Sequence, residues 1–167
     1  MKSKAKNLIQ KRDSLSSNIT KYWNIIYVEN VVNRNYTRNY DLKQLYNEIL
    51  QMGQKRAMAK LKTLCINMGI KNLKDLSEDN IQYDIFYLSE LKEVKVKLMK
   101  LRKEHTINPK LKASKGKKNL SKTEVLTFNW VSARIKDMDL KITELNRKLE
   151  EFNENAEFED DDLATAA

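Results

Sequence analysis

"VSARIKDMDLKITELNRKLEEF" runs from Val131 to Phe152. Val131, Ile135, Met138, Ile142, Leu145, Leu149 and Phe152 recur four and three residues apart in alternation, with charged residues filling the gaps. That spacing is a heptad seam, a narrow apolar stripe that must lie against a second helix. The partner is another helix of this chain or a second copy of it. With Gly 3 and Pro 1 in 167 residues, few positions can break regular structure. The seam therefore decides the fold class: mainly α, long antiparallel helices in a bundle or coiled coil.

Three more helices precede it. The first is expected from about Lys4 to Asn30, with Leu8, Leu15, Ile19, Tyr22 and Ile26 as its stripe and apolar surplus at Trp23, Ile25, Tyr27 and Val28. The second should start at an Asp41 N-cap and reach about Asn67, loosened or bent at Gly53 and stopped at Gly69. The third begins at Asn72 or Ser77 and ends near His105, with Ile81, Ile85, Leu88, Leu91, Leu98 and Leu101 on its apolar face. "TINPKLKASKGKKNLSKTE" follows as a basic loop. Residues 123–128 lean towards β and supply at most one short β element before the last helix. Residues 1–158 then form one helical domain, and 159–167 an acidic disordered tail.

The charge is unevenly spread. Eight acids and no Lys or Arg fall in residues 150–167, so the total of +9 becomes +17 once that stretch is set apart. A body this basic attracts phosphate-bearing partners, which the acidic stretch can damp by docking on it. Cys65 is alone, which excludes an intrachain disulfide and favours a cytoplasmic home, the host cytoplasm for a phage protein. No apolar run is long enough to span a membrane, and the basic N-terminus lacks the apolar centre of a signal peptide.

Catalytic and cofactor chemistry finds no foothold. His105 is the sole histidine and has no nucleophile context; one His and one Cys do not make a zinc site. The three glycines are too scattered for a phosphate loop or a dinucleotide fingerprint. No enzyme activity, cofactor or metal is expected.

Binding chemistry concentrates in "NRNYTRNY", Asn33 to Tyr40, which carries two arginines, two tyrosines and no acid. Arg34 and Arg38 offer planar forks for phosphate, and Tyr36 and Tyr40 offer faces for a base. If the segment is helical, the arginines share one face and the tyrosines a neighbouring one. The bland alternative packs the tyrosines on the core at a helix junction. Lys117 and Lys118 are candidates to close over the site from the basic loop.

"TELNRKLEEFNENAEF" resembles the C-terminal signature of the small septicolysin-like proteins, with Glu144, Leu145, Leu149, Glu151 and Asn153 in step and Glu154 where that family has Trp. "LIQKRDSLSSNI" is similar to the family's opening helix, and "KNLKDLSEDN" to the start of a later one. "MAKLKTLC" falls where the family carries a polar element, which makes Lys60 and Lys62 second-tier ligand residues. The resemblance implies a helical homo-oligomer with a short β element before the last helix and no enzyme activity. The functional expectation is a binder that sequesters a small nucleotide-type signal, as a phage anti-defence protein would. The competing expectations are non-specific nucleic-acid binding and a scaffold that blocks a partner protein through its helices.

Overall fold

The computed structural model describes residues 4–77, 80–107 and 122–157. Four helices run up and down: α1 (Ala5–Glu29), α2 (Leu42–Asn67), α3 (Gln82–Ile107) and α4 (Phe128–Asn155). Two three-residue strands, β1 (Val31–Asn33) and β2 (Lys122–Glu124), form one antiparallel ribbon. The protein is thus mainly α with a single short β element. Among the described residues no helix is long and apolar enough to cross a membrane.

The helix ends follow local chemistry. Asp41 caps α2, its carboxylate accepting from the backbone N–H groups of Lys43 and Gln44. Gly69 sits at φ 75°, the left-handed conformation in which glycine ends a helix without strain. Asn72 caps a single 3-10 turn, Leu73–Asp75, while α3 itself starts later, with the Asn80 side chain accepting from Gln82 N–H. Thr127 caps α4 by accepting from Trp130 N–H. Gly53 neither stops nor interrupts α2, which runs unbroken through it.

From Val131 to Leu145 the seam of α4 finds its partner within the chain. Val131, Ile135 and Met138 are buried in one core with Leu91, Val94, Leu98 and Leu101 of α3. Ile19, Trp23 and Ile26 of α1 and Leu42, Leu45, Tyr46 and Ile49 of α2 complete that core. Edge-to-face contacts run from Trp23 to Tyr46 and from Tyr46 to Trp130, linking three helices near the ribbon. Of the expected surplus on α1, Trp23 and Ile26 are inside, Tyr22, Ile25 and Tyr27 pack against the core, and Val28 stays in solvent.

A buried ionic cluster ties the middle of the bundle. Glu90 of α3 accepts from Arg56 Nε at 2.8 Å, from Arg56 Nη2, and from Lys60 Nζ at 2.9 Å. Arg56 also reaches Glu93 at 2.5 Å and the Ser16 hydroxyl of α1 at 3.1 Å. Burial pulls the Arg56 pKa down, but the hydrogen bond and charge of Glu90, helped by Glu93, outweigh it and leave the group above its ordinary value.

Candidate functional site

The stretch Asn33–Tyr40 is not a helix. Val31 and Val32, β-branched, leave α1 in extended form, the chain turns at Arg34–Asn35, and it reaches Asp41 without regular structure. The ribbon register puts Asn33 opposite Lys122 and Val31 opposite Glu124. The ends of α1 and α3 and the starts of α2 and α4 therefore gather at this end of the bundle.

The two arginines, equivalent in sequence, have different fates. Arg38 donates to the Glu29 carbonyl at 2.8 Å, the Asn30 carbonyl at 2.9 Å, and the Thr123 carbonyl and hydroxyl at 2.7 and 3.2 Å. It closes the C-terminus of α1, where a cation meets the negative end of the helix dipole, and clamps it to β2. Asn30 repeats the clasp from below: buried, it donates to the Leu126 carbonyl and accepts from Leu126 N–H at 2.7 Å. Proposed from the sequence as a phosphate ligand, Arg38 in the structure spends these donors on three backbone carbonyls and the Thr123 hydroxyl, and it positions the turn.

Arg34 is exposed and makes no hydrogen bond or ion pair among the described residues. Tyr36 and Tyr40 are 44% and 46% exposed. Tyr36 donates its hydroxyl to the Glu29 carboxylate at 3.2 Å. Partial burial first, then the Glu29 charge and hydrogen bond, raise the Tyr36 pKa above its ordinary value. The fold thus brings an acid, Glu29, to a segment that contains none.

The remaining candidates do not join this turn. Lys60 lies 18 positions along α2 from Leu42, about 27 Å at the helical rise, and is engaged by Glu90. Lys62 is farther still and lines a groove at the opposite end of the bundle. Lys117 and Lys118 lie outside the described residues. Lys122 was not singled out in the sequence, yet it is exposed beside the turn and unpaired among the described residues. Only its pairing with a strand far away in sequence reveals it. Lys100 also faces this end, its ammonium 4.9 Å from the centre of the Tyr27 ring.

Among the described residues no group of three or more His, Cys, Asp or Glu could hold a metal ion. No protein-family model, curated protein or solved structure matches the chain.

Proposed function

We propose that the protein is a non-enzymatic, oligomeric binder that sequesters a small anionic ligand of nucleotide type at the turn after β1. One observation carries the reading. Arg38 holds the turn in place through backbone carbonyls, while the same turn carries the exposed Arg34, whose side chain has no partner among the described residues, and the half-exposed rings of Tyr36 and Tyr40. A guanidinium with unused donors suits a phosphate, and an exposed phenol ring suits a base. Because the clasp fixes the backbone beforehand, little ordering opposes binding. Lys122 adds a second cation across the ribbon. The oligomer follows from the likeness to septicolysin-like proteins and from Val28, Val96 and Leu140, which remain exposed on three helices.

Calorimetry with cyclic dinucleotides and cyclic ADP-ribose isomers tests this. Loss of one charged hydrogen bond, about 1.5–3 kcal/mol, should weaken binding roughly tenfold or more in Arg34→Ala. Tyr40→Ala should weaken it as well. A ligand that binds wild type and Arg34→Ala equally would remove the turn from consideration.

A second reading, non-specific nucleic-acid binding, draws on the gathering of Arg34, Lys122 and Lys100 at one end of a basic body. Backbone contacts would make affinity fall steeply with salt, whereas a single-phosphate contact on a built turn would lose far less.

A further inference from the structure

At the end of the bundle remote from the ribbon, the start of α1 and the end of α2 flank a groove of about 950 Å³. Its apolar side is formed by Leu8, Ile66 and Leu73, and its rim by Lys4, Lys62 and Lys71. Ile66 and Leu73 remain 39% and 36% exposed, more than apolar side chains inside a core. The three lysines are exposed, and none of their ammonium groups makes a hydrogen bond or ion pair among the described residues. Among the described residues no acid lines the groove. An apolar floor inside a ring of unpaired cations calls for an occupant that is both apolar and acidic.

The chain carries such a segment. Glu157–Leu163 reads "EFEDDDL", with Phe158 and Leu163 bracketing Glu159, Asp160, Asp161 and Asp162. It follows α4, whose C-terminal half is tied to the first turn of α3 by Lys148 and Asp84 at 2.5 Å. α3 begins where α2 has just ended, so α4 finishes at the groove's end of the bundle. α4 packs on α3 and α3 on α2, so the groove lies about two helix spacings away, roughly 16–20 Å. Six extended residues beyond Glu157 reach about 20 Å.

We infer that the chain beyond Glu157 reaches this groove of its own structure, with Asp161 and Asp162 meeting the long Lys62 and Lys71 side chains and Leu163 on Leu8, Ile66 and Leu73. The acidic stretch is then a bound element and not merely a solvated end. Its contact sits at the opposite pole from the ligand turn, so either reading can fail without the other.

The test is zero-length carbodiimide cross-linking of the full chain at low micromolar concentration, using mixed light and heavy isotope preparations. Lys148–Asp84 and Lys95–Asp139, both at 2.5 Å, serve as internal standards. Carboxylates 161 and 162 should couple to Lys62 and Lys71 about fivefold or more above Lys92 on α3, within one chain, because tethering raises their local concentration. The preference should vanish at about 1 M salt, where screening acts within about 3 Å. Equal coupling to all exposed lysines, or coupling between light and heavy chains, overturns the inference. As an independent measure, D160N/D161N/D162N should speed amide exchange across residues 64–73 and leave α3 and α4 unchanged. Unchanged exchange at 64–73 overturns it too.

Discussion

Arg38→Ala isolates the clasp at the ribbon end. The side chain makes four hydrogen bonds, three to carbonyls and one to the Thr123 hydroxyl. At about 1.5–3 kcal/mol for each bond to a charged group, simple addition would exceed the whole stability of most domains. Two effects reduce it. Arg38 is only half-buried, so water re-solvates part of what it leaves, and bonds sharing one guanidinium are lost together. A cost of about 2–4 kcal/mol is expected. For a chain of this size that is roughly 5–15 °C in Tm. Arg38→Lys should recover less than half, since one ammonium cannot span carbonyls on both α1 and β2. Urea unfolding followed by circular dichroism measures the loss, and Arg34→Ala is the control, expected within about 0.5 kcal/mol of wild type. A cycle with Thr123→Val should show coupling of about 0.5–1.5 kcal/mol for the hydroxyl bond. If Arg38→Ala were as mild as Arg34→Ala, the clasp would not hold the turn, and preorganisation could not support the ligand site.

Two further outcomes follow from buried polar groups. Glu90→Gln should cost about 2–4 kcal/mol in the same unfolding assay: breaking a buried ion pair typically costs about 3–5, and the neighbouring Glu93 offsets part of it. A loss below about 0.5 kcal/mol would mean that the cluster is solvated in solution. Tyr46 is buried, and burial pushes its pKa up to about 12, with the Arg134 charge opposing and Asp137 adding. The unfolded phenol ionises near 10 while the folded one stays protonated, so the Tyr46 contribution to stability should be constant below pH 10. It should then fall by up to about 1.4 kcal/mol per pH unit until about 12. Tyr46→Phe should flatten that slope, and an unaltered slope would reject the assignment.

The parts of the fold visible in the sequence are those whose causes are local. The α4 seam, the Asp41 cap and the Gly69 stop each depend on a few neighbouring residues, and each is found in place. The ribbon is half visible: the sequence suggests a β element at 123–128, but nothing in it marks Val31–Asn33 as the partner strand. Three-residue strands carry too little alternation to be read, and Asn30 meets Leu126 across 96 residues. The same distance hid the difference between Arg34 and Arg38, because the carbonyl that captures Arg38 belongs to Thr123, 85 residues on. Side-chain type identified groups able to bind phosphate; tertiary pairing decided which of them remain available.

Gly53 shows the limit of a rule applied locally, and one substitution tests it. A glycine within a helix suggests a loosened or bent segment, yet α2 is continuous there and Gly53 is buried against Glu90. A methyl group at Gly53 would meet the Glu90 Cβ and Oε2 at 3.6 Å, an ordinary contact and not a clash. Replacing glycine by alanine in a helix interior gains about 0.5–1 kcal/mol by reducing the freedom of the unfolded chain. Against this stands the loss of hydration at a carboxylate, but Glu90 is already only 4% exposed and its oxygens are held by Arg56 and Lys60. The entropic gain should win, so Gly53→Ala is expected to raise the urea midpoint by about 0.5–1 kcal/mol of stability with an unchanged slope. A loss of more than about 1 kcal/mol would instead show that the glycine is needed to bring α3 close to α2. A changed slope with little change in midpoint would mean that the substitution alters the surface exposed on unfolding, and the entropic argument would not account for it.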